Sequence, residues 1–284
     1  MSLELLDSIS IPGNPAKPND DAFAHSARAV VVFDGATGLG DNLMPGKSDA
    51  AWLAAFGSRR LMAYMRDGAA PQEAVSAALF DAQTSYEALR RRAPAERWEV
   101  PYASMMFVAQ DAQGVEALWY GDCAALVKRP NAPVEIIGDA LEKRALESSR
   151  VAKLAAKHGL SPAAGINRPE YMDALRKARS YANTAKGHWA FGPDVTAADH
   201  VSTAQISAPA GTLMLLCSDG FLALASDYNA YDAETLIAAA QSKGLTALCD
   251  ELRAIEASDP EGVKFPRFKT SDDATAVLVR LASE

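Results

Sequence analysis

The sequence has few cysteines and no long apolar run. Its three cysteines, Cys123, Cys217 and Cys249, are widely spaced and form no C-x-x-C pair. This pattern argues against a disulfide scaffold and a thiolate zinc site, and it favours a reducing, cytoplasmic compartment. No segment approaches the ~18 apolar residues of a membrane span, and the N-terminus carries acids where a signal peptide needs basic charge. We therefore expect no membrane partner.

The sequence also lacks an excess of positive charge. It contains 28 Lys and Arg against 36 Asp and Glu, which gives a formal net charge of −8 over 284 residues. Since non-specific binding to nucleic acid requires a basic surface, we expect no nucleic-acid partner. Most of the acids should be solvated, and the surplus raises the question of whether a few are not.

Apolar patterning predicts an alternation of buried strands and amphipathic helices. The predicted helices cover residues 49–66, 71–92, 140–158, 170–182, 233–242 and 245–258, with a loop at 161–169. The predicted strands cover residues 29–33, 103–109, 115–120, 124–127, 212–217 and 274–281. Turn residues separate the three middle strands, which predicts an antiparallel meander at 103–127. The polar, weakly patterned region at about 140–190 is best interpreted as a flap or helical insertion in one compact domain.

Four aspartates stand at the ends or starts of predicted strands: Asp34, Asp122, Asp219 and Asp272. Asp is common in turns, so each one alone is ordinary. Strand ends, however, can converge on one rim of a sheet, where several carboxylates would repel one another. A hard divalent cation such as Mg²⁺ or Mn²⁺ relieves that repulsion and can activate a water toward a phosphoryl group.

Five sequence blocks, in order, resemble the metal-dependent serine/threonine phosphatases of the PP2C (PPM) type. They are N-D-D-A at 19–22, V-F-D-G at 32–35, Y-G-D-C-A-A at 120–125, L-C-S-D-G-F at 216–221 and S-D-D-A-T at 271–275. Each block alone is weak, but the ordered set covers nearly the whole chain. The resemblance implies an α+β fold, a four-layer αββα sandwich of two mainly antiparallel sheets flanked by helices, in a single domain over residues 1–284.

The resemblance also implies an activity and a set of metal ligands. The activity is hydrolysis of phosphoserine or phosphothreonine in a phosphorylated protein or peptide by metal-activated water, with two Mn²⁺ or Mg²⁺ ions. Asp34 would bridge the two ions, and Gly35 would offer its carbonyl to one of them. Asp219 and Asp272 would hold the other ion, and Asp21 would contact metal near the entrance. The catalytic set would be Asp34, Asp219 and Asp272.

Further residues receive secondary roles from the same resemblance. Asp122 would join Asp219 around a third, weaker metal of the kind found in bacterial members. Asp20, Asp273 and Thr37 would lie just outside the ligand set.

Three departures from the family pattern bear on the chemistry. The phosphate-binding arginine of the opening block is missing, and Lys17 is the nearest basic residue, which could neutralise phosphate without the bidentate fork. Ala36 and Thr37 follow Gly35 where animal and plant members carry a histidine, so the leaving group would be protonated by another group. Asp273 replaces an asparagine, so either it faces away from the site or the metal preference differs.

Other interpretations fit less well. A haloacid dehalogenase loop would need a second aspartate where Ala36 stands, and an actin-like kinase would need a Gly-rich partner loop. The main alternative is a catalytically weak phosphatase-like domain that acts as a partner-binding regulatory module. The retained aspartates argue against it, since an inactive copy would first lose metal ligands.

Overall fold

The computed structural model describes residues 1–112, 114–140, 169–267 and 269–283. The helices in these parts are α1 (Asp49–Arg66), α2 (Pro71–Leu89), α3 (Pro169–Arg179), α4 (Asp219–Ser226), α5 (Ala233–Lys243) and α6 (Leu245–Ser258). The strands are β1 (Ser2–Ile11), β2 (Ala22–Ser26), β3 (Ala29–Gly35), β4 (Ala103–Asp111), β5 (Gly114–Tyr120), β6 (Ala124–Lys128), β7 (Glu135–Ile137), β8 (Ser202–Ile206), β9 (Leu213–Cys217) and β10 (Ala274–Ala282). Residues 141–158 of the predicted helix at 140–158 and residues 161–168 of the predicted loop at 161–169 lie outside the described residues.

The strands form two five-stranded sheets, in the orders β1-β10-β9-β6-β7 and β2-β3-β4-β5-β8. All described neighbours pair antiparallel. The predicted meander is wrong in its last strand, because β4 pairs with β5 whereas β6 pairs with β9 and β7 in the other sheet. The chain changes sheets at Gly121, which has a φ of 71°. Apolar patterning predicts each strand but carries no information on which sheet it joins.

The two sheets pack face to face, and helices cover both outer faces. Alternate residues of β3 show the arrangement. Val30 and Val32 pack with Val277 and Val279 of the opposite sheet, whereas Val31 packs with residues of α1 and α2. Helices α4, α5 and α6 cover the outer face of the other sheet. The continuous apolar run of β3 thus reflects burial on both faces, and the four αββα layers confirm the predicted fold class.

Local sequence explains where the first two helices begin and end. Helix α1 begins after Ser48, whose side chain accepts a hydrogen bond from the N–H of Ala51. Helix α2 begins at Pro71 and ends at Leu89, short of the predicted residue 92. It ends there because Arg90 has extended backbone and the N–H of Arg91 donates to the carbonyl of Leu43 at 2.8 Å. In the described parts of the chain, no helix is both long and apolar enough to cross a bilayer.

Candidate metal centre

The topology brings the strand-end aspartates to one rim. Asp21 comes just before β2 and Asp34 lies near the end of β3, and these strands are antiparallel neighbours with Ala22 opposite Phe33. Asp219 follows β9 and Asp272 comes shortly before β10, which are also antiparallel neighbours. In one sheet the start of β2 therefore lies beside the end of β3, and in the other the end of β9 lies beside the start of β10.

Electrostatic coupling shows that the two sheets contribute to the same cluster. Burial, followed by the charges of Asp219 and Asp21, raises the pKa of Asp34 well above its ordinary value, and Asp122 and Asp272 raise it further. Burial also raises the pKa of Asp21, against a hydrogen bond from Ser218 that lowers it. The cluster therefore unites Asp21, Asp34, Asp122, Asp219 and Asp272.

Asp122 is held in place by the neighbouring strand. The Ser104 hydroxyl donates to the Asp122 carboxylate at 2.6 Å, and Ser104 is the β4 residue opposite Asp34. Gly121 has a positive φ, and a Cβ added there would collide with Ser104. The turn that delivers Asp122 to the rim thus requires glycine at position 121.

Gly35 and Asp20 fit against each other at the same rim. A Cβ added at Gly35 would collide with the carbonyl oxygen of Asp20. The Asp20 carboxylate accepts a hydrogen bond from the Ser48 hydroxyl at the start of α1. Burial raises the pKa of Asp20, although the Ser48 bond lowers it in part. Asp20 therefore joins the rim to helix α1, a link that the motif pattern did not predict.

Asp273, which stands where the family has an asparagine, accepts hydrogen bonds from backbone N–H groups. One of its carboxylate oxygens accepts from the N–H of Gly13 at 2.8 Å, and the other accepts from the N–H of Asp20 at 2.7 Å. Both oxygens are engaged by backbone, so this side chain braces the segment that carries Asp20 and Asp21. An asparagine in the same orientation would place an NH2 group where one of these oxygens accepts, and would leave that donor without an acceptor.

Lys269 is a charged member of the cluster that the sequence pattern did not reveal. Its ammonium group lies 2.5 Å from an oxygen of Asp272, with 29% and 30% of the two side chains exposed. Burial alone would lower the pKa of Lys269, but the charges of Asp272, Asp34 and Asp219 raise it overall. The chain therefore supplies one positive charge to its own acidic cluster.

Two predicted residues lie at the margin of the cluster. Lys17 is exposed, in a surface groove that also contains Ser48. The carbonyl of Thr37 accepts a hydrogen bond from Arg179 at 3.4 Å, and Arg176 donates to the carbonyl of Leu39 at 2.8 Å. Helix α3, from the predicted flap region, thus holds the loop that follows Gly35.

The donor set fits Mn²⁺ or Mg²⁺ in its chemistry. The five clustered aspartates offer hard carboxylate oxygens, and one oxygen of Asp21 is buried without a hydrogen-bond partner. Across the described ranges, no group of three acidic, cysteine or histidine side chains is arranged to hold a metal ion as it stands. The Lys269 ammonium donates a hydrogen bond to one oxygen of Asp272, a predicted ligand.

The raised pKa values predict an unusual pH dependence for the metal-free protein. Because burial and like charge raise the pKa of Asp20, Asp21 and Asp34, the folded state keeps protons that the unfolded chain releases. The free energy of unfolding should therefore fall as the pH rises from about 5 to about 8. Urea unfolding of metal-depleted protein across this range measures it, and a flat or rising curve would contradict the cluster.

Comparison with known proteins gives a structural likeness only. No family model and no curated protein matches the sequence. The structure is similar to the serine/threonine phosphatase PstP/Ppp of Mycobacterium tuberculosis, with a TM-score of 0.57, 17% identity and 100% of both chains covered. It is also similar to the PPM Ser-Thr phosphatase MsPP of Mycobacterium smegmatis, with a TM-score of 0.56, 17% identity, and 98% of this chain and 100% of that one covered.

A third solved structure is the catalytic domain of PstP in complex with 2 manganese ions. Its TM-score is 0.56 at 17% identity, with 99% of this chain and 100% of that one covered. At these identities the likeness establishes the fold, which is that of the PPM serine/threonine phosphatases. This confirms, at the level of the fold, the resemblance that the ordered sequence blocks indicated.

Proposed function

We propose that this chain, which has the fold of the PPM serine/threonine phosphatases, is a metal-dependent protein serine/threonine phosphatase. The observation that carries the proposal is the cluster of carboxylates at one rim, in which burial and the charges of neighbouring aspartates raise the pKa of Asp21 and Asp34. A fold has no evident use for such an arrangement unless cations complete it. We further propose that residues 1–284 form one such domain with an insertion at about 140–190.

Each clustered residue receives a role in this proposal. Asp34 would bind both ions, Gly35 would offer its carbonyl to one of them, and Asp219 and Asp272 would hold the other. Asp21 would contact metal through its unpartnered oxygen. Asp122 would join Asp219 at a third ion. The chemistry that Mn²⁺ or Mg²⁺ supplies in such a site is a lowered pKa for water and neutralisation of phosphoryl charge.

The chain's own residues perform the orienting work. Asp273 fixes the backbone of Asp20 through a hydrogen bond at 2.7 Å, and Ser104 fixes Asp122 at 2.6 Å. Arg176 holds the loop beside Gly35 through the Leu39 carbonyl at 2.8 Å. These bonds limit the movement of the carboxylates, which is the preorganisation that catalysis requires. Hydrogen bonds that position the carboxylates in this way argue against an inactive, partner-binding module.

A substrate panel tests the proposed activity. Phosphate release is measured with para-nitrophenyl phosphate and with matched peptides that contain phosphoserine, phosphothreonine or phosphotyrosine, each in Mn²⁺ or Mg²⁺. We expect turnover of the phosphoserine and phosphothreonine peptides and at least about tenfold lower kcat/KM on phosphotyrosine. Binding of Mn²⁺ without turnover of any phosphopeptide would contradict the enzyme and support the regulatory module.

A further inference from the structure

A surface groove of about 510 Å³ lies beside the candidate metal centre. Its two walls are the segments 15–18 and 45–48, and its floor is one face of helix α1. The helix residues on this floor are Ala51, Trp52, Ala55 and Arg59, whose spacing places them along one side of the helix. The groove is therefore formed by two separate parts of the chain, residues 15–18 and residues 45–59.

The charge of this groove is opposite to that of the protein. Its lining includes Lys17, Lys47 and Arg59 and no acidic residue, although the chain has a formal net charge of −8. Within the described residues, the side chains of these three cations make no ion pair. All three are exposed, so their charges face the solvent in the groove. An anionic ligand would meet a locally favourable potential here.

The groove is continuous with the acidic rim. Ser48 belongs to the groove lining, and its hydroxyl donates a hydrogen bond to Asp20. Pro18 also lines the groove and is followed directly by the segment that carries Asp20 and Asp21. A chain that extends from the metal centre toward helix α1 would thus pass along this groove.

Local rigidity suits the groove for binding an extended peptide. Pro15, Pro18 and Pro45 stand in the two walls, and proline fixes its own φ. Trp52 on the floor stacks on Phe56 with ring centroids 5.3 Å apart. Walls and floor that are already ordered lose little conformational freedom when a ligand binds.

We propose that the groove binds acidic side chains next to the phosphorylated residue of the substrate, so that the enzyme prefers phosphoproteins with an acidic flank. The proposal rests on the proposed phosphatase function for the identity of the ligand. An acidic peptide is repelled by most of this protein's surface, and the groove would offset that repulsion at the entrance to the site. Lys17 then serves the substrate's flank as well as its phosphate.

A binding measurement tests the groove independently of catalysis. Fluorescence anisotropy follows a labelled, unphosphorylated peptide rich in glutamate and its counterpart with glutamine at the same positions, in metal-free buffer. Three exposed ion pairs together correspond to about tenfold in affinity, so the glutamate peptide should bind about tenfold more tightly. Added NaCl should remove the difference. Equal binding of the two peptides at low salt would overturn the proposal.

Charge-reversal variants test whether the peptide binds in the groove. The double variant Lys47→Glu, Arg59→Glu should lose about tenfold in affinity for the glutamate peptide. The control is Lys186→Glu, Lys264→Glu, which changes net charge equally at exposed positions outside the groove. Thermal unfolding checks that both variants fold. If the groove variant does not fold, the double variant Lys47→Gln, Arg59→Gln takes its place. Equal loss of affinity in the two variants would overturn the proposal. So would displacement of the labelled peptide by single-stranded DNA at a lower concentration than by the unlabelled glutamate peptide.

Kinetics then separate this proposal from the phosphatase function. The KM for a phosphothreonine peptide with acidic flanks should be about tenfold below that for the glutamine-flanked peptide, with similar kcat. The groove variant should remove the difference. If no peptide is hydrolysed, the phosphatase proposal fails while the anisotropy result still decides the groove. If both peptides are hydrolysed with equal KM, the groove proposal fails and the phosphatase stands.

Discussion

The Asp219→Asn variant should lose Mn²⁺-dependent phosphopeptide hydrolysis by at least about 100-fold, because it removes one carboxylate from the proposed metal centre. Asp219 is only 8% exposed at the start of α4, and its charge adds to burial in raising the pKa of Asp21 and Asp34. Asparagine has nearly the same shape but no charge. The metal-free variant should therefore be at least as stable as the wild type, since it carries less repulsion in the cluster.

Two readouts check this prediction. Phosphate release gives the loss of turnover, and thermal unfolding in EDTA and in Mn²⁺ gives the stability of each form. The matched control is Asp250→Asn, on the exposed side of α6, which should leave both unchanged. A variant that keeps its turnover, or that is clearly less stable than wild type without metal, would show that Asp219 has a structural role instead.

The Lys269→Met variant should bind Mn²⁺ about tenfold more tightly than the wild type. The Lys269 ammonium lies 2.5 Å from one oxygen of the Asp272 carboxylate, so an ion that uses this oxygen competes with it. Methionine keeps most of the side-chain length without the charge. The metal-free variant should lose about 1 kcal/mol of stability, because the cluster loses its internal cation.

Mn²⁺ titration followed by electron paramagnetic resonance measures the affinity directly and does not depend on turnover. Lys264→Met is the matched control, since Lys264 lies over the Phe265 ring at 4.8 Å and is exposed. Its Mn²⁺ affinity should equal that of the wild type. Unchanged or weaker Mn²⁺ binding in Lys269→Met would mean that Lys269 does not compete with metal.

Part of the fold could be predicted because it is written in local patterns. The buried run of β3 and the apolar stripes of α1 and α2 identify themselves by period and length. Strand β1 was missed because most of it is only half-buried and it is held by pairing with β10, at the opposite end of the chain. The short helix α4 could not be predicted, because Ser and Asp, which stand at positions 218 and 219, are common in turns as well as at helix starts; Ser218 is the N-cap of that helix.

The residues of the candidate site also divide into those that local sequence predicts and those that depend on distant parts of the chain. Aspartates at strand ends can be found in the sequence, because glycine and apolar runs mark their positions. The hydrogen bonds of Asp273 could not be predicted, since its partners Gly13 and Asp20 are distant in the chain. Lys269 was missed for a related reason: nothing in a charged, proline-containing segment indicates that one lysine lies close to the carboxylates of Asp272, Asp34 and Asp219.

The most direct test of the central claim is phosphate release from one phosphothreonine peptide as Mn²⁺ is added to metal-depleted protein. The proposed metal centre predicts no turnover above background in EDTA, a saturable rise with Mn²⁺, and no such rise in Asp34→Asn. Equal turnover in EDTA and Mn²⁺, or a full response in Asp34→Asn, would contradict catalysis by metal ions held at this carboxylate cluster.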